Sequence, residues 1–397
     1  MPKRIVILLD GTSNQISKNR TNVLRLYGAL EKTDDQLVYY DPGVGTLGAE
    51  NAWLSLWRKA GEVWGLLTGW GLDQNVKEAY RFLVDNYDNG KRPGEQDLGR
   101  DEIWIFGFSR GAYSARVLAG FIRAFGVVEP RNANLIDYAY RAYKRIGEKK
   151  DDTFGEIRLY ERVLRPDQPP IRFLGLFDTV SSVFEMGRYI PQMRNHAFTA
   201  NNTSVQTVRH AVAIDERRSM FPAQLWPSGQ EYRDNPHNKG GAVAQDSREV
   251  WFAGVHADVG GGYPEVEAGL AKIPLVWIIE QAQSFGLKFK TRTINSVVLG
   301  ETDERYCTPD ETAMQHNSMK FAWALLEFLP RFRWSRDVPP RINGIRIPLF
   351  SRRPISDGSA IHVSVKTRMA KTGYAPKNLP DAHEIEPAGP LWRPEPE

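Results

Sequence analysis

Short apolar runs recur along the chain, each closed by a turn signal. Ile5–Leu9 stops at Asp10-Gly11-Thr12 and Leu37–Tyr40 stops at Asp41-Pro42-Gly43, while Glu102–Phe108, Ile171–Phe177 and Val250–Val255 have the same form. Bounded runs of this length read as strands. Between them, Val76, Ala79, Tyr80, Leu83, Val84 and Tyr87 fall on one face of a helix over Leu72–Tyr87. Ala112–Phe125 and Leu270–Phe285 also read as helices, stopped by Gly126 and Gly286. Strands alternating with helices predict an α/β chain, with a mainly parallel central sheet and helices on both faces.

Three stretches fit this alternation poorly. Residues 45–71 hold Trp53, Trp57, Trp64 and Trp70 among glycines, residues 189–247 are polar and rich in turns, and residues 302–359 mix aromatics with arginines. They are expected as insertions, forming cap or lid segments on a single domain over residues 1–375. Residues 376–397 are expected as a Pro-rich, acidic, extended tail. Between Arg331 and Arg353 seven arginines face one acid, Asp337. That run reads either as a surface for phosphate head groups at a membrane or as a solvated face crossed by salt bridges.

Composition narrows the classes. Fifty-two basic residues against 48 acidic ones give a net charge of +4, too balanced to argue for nucleic acid as a partner. The single cysteine, Cys307, excludes an intrachain disulfide framework and cysteine-based zinc sites. The apolar run at the N-terminus is too short for a secretory signal core, and no stretch reaches the length of a membrane span. The expectation is a cytoplasmic protein, or one exported without a Sec signal. No cofactor or metal is expected, and the sequence leaves the oligomeric state open.

The segment richest in chemistry is Gly107-Phe108-Ser109-Arg110-Gly111, a G-x-S-x-G match. The pattern alone is weak, but it lies where a strand ends and a helix begins, as a nucleophile elbow requires. Small residues two before and two after the serine relieve a sharp turn, and the helix N-terminus favours the alkoxide and the oxyanion. A serine hydroxyl needs a base, and the base needs an orienting carboxylate. His256 follows a strand directly and precedes a glycine-rich stretch, so it can reach the elbow from the same sheet edge. His362, in Ile361–Val365, competes for the role. His210 lies in an apolar run and reads as packed, whereas His196, His237, His316 and His383 sit in polar contexts and read as surface residues. For the acid, Asp178 closes the strand Ile171–Phe177, with Asp258 and Asp215 as alternates. Oxyanion donors are expected from Arg110 and from Gly11 or Thr12, with Asp10 orienting that turn. Gly43–Gly48 matches G-x-G-x-x-G, but Pro42 before it and the tryptophans after it argue against a dinucleotide site.

These motifs resemble the DUF2235 family of α/β hydrolases, which includes the catalytic domains of type VI secretion phospholipase effectors of the Tle1 group. Ile5–Leu9 with Asp10–Asn14 is similar to the family's opening, and Gly107–Ala112 to its nucleophile motif. Phe177–Val180 and Gly254–Tyr263 are similar to its acid and histidine motifs, and His210–Arg218 and Ile361–Val365 are also family-like. The resemblance implies an α/β-hydrolase fold with a triad of Ser109, Asp178 and His256. It further implies cleavage of carboxylic esters through an acyl-enzyme, with a lipid or phospholipid ester as substrate and peripheral contact with a membrane. The competing expectations are an esterase for small soluble esters and a non-catalytic scaffold of the same fold.

Overall fold

The computed structural model describes residues 2–11, 19–43, 71–91, 99–147, 153–180, 184–186, 191–193, 196–234, 241–319, 323–324, 327–328, 331–332, 345–347 and 349–394. Its frame is an eight-stranded sheet. The strands are β1 (Arg4–Leu9), β2 (Gln36–Asp41), β3 (Glu102–Phe108), β4 (Ile171–Phe177), β5 (Thr207–Ala213), β6 (Asp246–Phe252), β7 (Ala360–His362) and β8 (Glu384–Glu386). They lie in the order β8-β7-β6-β5-β4-β3-β1-β2, and every pair is parallel. The expected α/β class is therefore found, as a wholly parallel sheet.

Side chains alternate across this sheet into two cores. Ile5, Ile7, Leu9, Ile103, Ile105, Leu174 and Leu176 join one core. Four helices cover it: α1 (Leu72–Asn86), α2 (Arg110–Phe125), α3 (Ile136–Gly147) and α4 (Thr153–Leu164). Val6, Leu8, Trp104, Phe106, Phe173 and Phe177 point the other way. They pack under the helix Asn22–Ala29 and under α5 (Gly269–Ser284). A smaller cluster of Val212, Trp251, Ile361 and Val365 seats a helix over Val363–Thr372 at the far edge. With both faces covered, strands need no polar side, which is why the runs are continuously apolar.

Two assignments from the sequence change. The stretch 189–247, set apart as an insertion, contains β5, a central strand buried along its whole length. Its arginine, histidine and flanking polar residues disguise it. The stretch 376–397, set apart as a tail, supplies the edge strand β8. There Arg248 pairs with Glu384 (3.0 Å) and Glu386 (2.9 Å), and Trp277 Nε1 donates to Glu386 (3.0 Å). The acidic character of that stretch thus matches cations and donors of the body. Among the described residues no helix is long and apolar enough to cross a membrane. The tryptophan-rich insertion lies, apart from Gly71, outside the described residues.

The chain runs from β1 to β2 on one side and then crosses to β3 on the other. That reversal falls at the C-terminal ends of β1 and β3, the kind of place where open parallel sheets hold their ligands.

Candidate active site

Sheet register sets the site. Phe108, the last residue of β3, is paired with Phe177, the last of β4, and Phe177 with Ala211 of β5. Ser109 and Asp178 are the next residues on adjacent strands, so they emerge side by side at one edge. Ser109 has φ 58° and ψ −124°, and Asp178 has φ 39°. Such positive-φ residues with a β-carbon cost about 1–3 kcal/mol each and persist only where the surroundings fix them. The elbow is fixed by close backbone approach. A β-carbon on Gly107 would strike Gly111 and Ala112, and one on Gly111 would strike the carbonyl oxygens of Leu9 and Asp10.

β6 ends at Phe252, and four residues later His256 opens a short helix, α6 (His256–Gly260). The sequence expects a glycine-rich loop there. Gly260 instead ends the helix and two glycines follow it: Gly261 at φ 80° bridges to Thr21, and Gly262 N–H donates to the Arg20 carbonyl. His256 Nε2 lies 2.8 Å from Ser109 Oγ, and its Nδ1 lies 2.5 Å from Asp178 Oδ2. The imidazole is buried between the rings of Phe108 and Phe221, with centroids at 4.8 and 5.1 Å.

The electrostatics fix the tautomer. Burial alone would raise Asp178, but the guanidinium of Arg353 and the contact with His256 outweigh it and hold the carboxyl below the usual range. An ionised carboxylate only accepts, so Nδ1 must carry the proton and Nε2 is left to accept from Ser109. Burial pushes His256 below the ordinary imidazole value, against an upward pull from Asp178 and a downward one from Arg218. If His256 is the base, kcat/KM on a neutral soluble ester should stay level down to about pH 6.5 and fall only below it. A midpoint above that pH would contradict a neutral, buried base.

The turn after β1 is held by Asp10, as expected. Asp10 Oδ2 accepts from Thr21 Oγ (2.5 Å) and Tyr40 OH (2.8 Å), while Oδ1 accepts the N–H of Gly11 (2.7 Å). The N–H of Gly11, one of the expected oxyanion donors, is thus held by the neighbouring carboxylate. Thr12, the other expected donor, lies outside the described residues. Arg110 begins α2 directly after the serine.

The alternates sit elsewhere in the network. Asp258 accepts from Val255 N–H (3.0 Å) and pairs with His316 (2.6 Å), whose other nitrogen meets Glu267 (3.0 Å). His316 is thus a bridge between two carboxylates, stacked on Tyr263, rather than a surface residue. Asp215 accepts from Gly254 N–H (2.8 Å) and Tyr374 OH (2.6 Å). His362 is buried against Phe252 and caps the helix that follows it. His196, also expected at the surface, is buried with Nδ1 3.0 Å from Tyr113 OH. His210 is packed as expected. It accepts from Thr179 N–H (3.1 Å), bracing the turn beside Asp178, and meets Glu249 at 2.6 Å. His237 lies outside the described residues.

Three charged residues at the site were not singled out from the sequence. Glu216 accepts the backbone N–H of His256 (3.2 Å) and pairs with Arg218 (2.9 Å), which brings it to about 2 despite burial. Arg218 lies over Phe221, 3.9 Å from its centroid. Both stand within the family-like stretch His210–Arg218, so a signal existed. Arg353, bound to Asp178, comes from the arginine-rich run and had none.

A family model described as the type VI secretion system phospholipase effector Tle1-like catalytic domain matches residues 3–281. The chain belongs to this family. The match contains Ser109, Asp178 and His256, and stops short of β7, β8 and Arg353. The yeast protein named Uncharacterized protein YEL023C (Saccharomyces cerevisiae, strain ATCC 204508 / S288c) is 25% identical over 424 residues, covering 76% of this chain. This chain spans 60% of that relative's length. Among solved structures, an uncharacterized protein from Pseudomonas aeruginosa aligns at a TM-score of 0.39 and 21% identity, over 73% of this chain and 46% of its own. The Tle1 effector bound to the VgrG spike of the type 6 secretion system aligns at 0.33 and 19%, over 68% and 53%.

Proposed function

We propose that this member of the Tle1-like family hydrolyses carboxylic esters of lipids, phospholipids foremost, through an acyl-enzyme on Ser109. The observation that carries the reading is the continuous hydrogen-bonded chain Ser109–His256–Asp178 at the C-terminal edge of the sheet. In this mechanism Ser109 Oγ attacks the ester carbonyl while His256 Nε2 takes its proton. Asp178 holds the imidazole and stabilises its charged form. Collapse of the tetrahedral intermediate breaks the bond to the leaving alkoxide, which receives the proton from His256. Water then attacks the acyl-serine by the same route and releases the acid. Arg110 supplies one oxyanion donor as the first N–H of α2, where the helix favours negative charge, and Thr12 is the proposed second.

The test uses phospholipid vesicles beside a soluble short-chain ester, with a fluorophosphonate probe to count reactive serine. The expected result is fatty acid released from the vesicles and probe attached to Ser109. Turnover of the short-chain ester alone would move the substrate class to small soluble esters. Neither label nor turnover, with detergent present to open any cover over the site, would leave a non-catalytic scaffold.

A further inference from the structure

We infer that Arg353 is a positioning residue for this hydrolysis, clamping both oxygens of Asp178 and so fixing the plane and charge with which that carboxylate holds His256. The inference rests on the proposed serine mechanism and adds to it a residue 72 positions beyond the end of the family match. Nη1 donates to Asp178 Oδ1 (2.5 Å) and Nη2 to Oδ2 (3.0 Å), a parallel fork that a planar guanidinium makes and an ammonium does not. The same two nitrogens donate to the carbonyls of Ala213 (3.0 Å) and Phe221 (2.8 Å), so the arginine is itself held from β5 and from the segment that packs on His256. Arg353 is buried, with 6% of its side chain exposed, and Asp178 is fully buried.

Geometry separates this from an incidental ion pair. Each oxygen of Asp178 has two donors: Oδ1 takes Ala213 N–H (2.9 Å) and Arg353, and Oδ2 takes His256 and Arg353. The carboxylate can neither rotate nor slide without losing one of them, and its direction sets that of the imidazole. The charge matters as well. The groups facing His256 are Asp178 and, through the α6 N-terminus, Glu216; those facing the pair from the other side are Arg353 and Arg218, with His210 beyond the acid turn. Two anions and two cations balance, so the neutral imidazole is the resting state. Removing Arg353 leaves the carboxylate's charge uncompensated beside His256, which favours the imidazolium and withdraws the base as pH falls.

Arg353→Met and Arg353→Lys distinguish this from a structural role. The rate is normalised to the fraction of molecules that react with the probe, and kcat/KM is followed against pH on a soluble ester. For Arg353→Met the acid limb is expected to move up by about one pH unit, with a plateau about tenfold or more lower. Arg353→Lys keeps the charge and loses the fork, so its limb should stay near that of the wild type while its plateau drops. If Arg353→Met does not fold, the lysine variant carries the test through its plateau. A folded variant with an unmoved limb and an unchanged normalised rate would overturn the inference and leave the serine mechanism standing. Wild-type protein that neither turns over ester nor takes the probe would overturn both.

Discussion

Ser109→Ala is expected to lower kcat/KM by about four to six orders of magnitude while leaving the protein folded. The size follows from the role assigned to the oxygen. In the proposed mechanism it is the atom that forms the acyl bond, and among the described residues the hydroxyl hydrogen-bonded to His256 Nε2 is that of Ser109. The fold should be nearly indifferent. Alanine meets the same backbone strain at φ 58° as serine does, and the side-chain hydrogen bond given up, to His256, is worth about 1 kcal/mol. A thermal melt within a few degrees of the wild type, beside lost turnover and lost probe labelling, is the expected pair of results. A variant that kept turnover within tenfold would remove Ser109 as nucleophile. Residual rate above the uncatalysed reaction would be no surprise, since oxyanion donors and substrate binding act without the serine.

The frame of this site was legible in the sequence because its signals are local. A covered strand must be an apolar run, a sharp turn into a helix must have room at Gly107 and Gly111, and both can be read within ten residues. Glu102–Phe108 and Ile171–Phe177 are found at the predicted bounds. Legibility ends where one residue's meaning depends on another far away. Arg353 stands in a run that reads as a solvated face, and only the fold brings it to Asp178, 175 positions earlier. His196 looks like a surface residue until Tyr113, 83 positions away, is placed beside it. β5 is hidden for a related reason. Arg209 and His210 look unsuited to a central strand, but Arg209 pairs with Asp246 at the start of β6 and His210 with Glu249. β7 and β8, three residues each, are too short for any periodicity to show.

These distant partners also show how the parts of the site depend on one another. The family match ends within α5, yet Asp178, which lies inside it, is gripped by an arginine from beyond it, and the sheet that leads into His256 is completed by β7 and β8. Ser109 and Asp178 come from the middle of the sheet, and the cation paired with Asp178 comes from the segment that leads into β7. If Ser109 is the nucleophile proposed, changes in the C-terminal third should therefore register in its reactivity.

Asp178→Asn makes that dependence measurable, with an expected loss of about 10⁴ in kcat and a loss of stability that the serine variant does not share. All four partners of the carboxylate are donors: Ala213 N–H, the Nη1 and Nη2 groups of the Arg353 guanidinium and His256 Nδ1–H. An amide has one acceptor and one donor end, so either orientation turns N–H groups against N–H groups. With the NH2 end toward His256, the imidazole must switch tautomer to accept from it. Nε2 then carries the proton and can no longer take one from Ser109. With the NH2 end toward Ala213, the strand turn loses its anchor instead. In both cases Arg353 is left buried opposite a neutral group, and breaking a buried pair in this way costs about 3–5 kcal/mol. Adding Arg353→Met removes the stranded charge, so Asp178→Asn/Arg353→Met should recover much of the melting temperature and none of the rate. Denaturant titrations and pre-steady-state ester turnover on the two single variants and the double variant read the two effects separately. Recovery of rate along with stability would mean that Asp178 acts only as ballast for the arginine, and the orienting acid would then have to be sought elsewhere around His256.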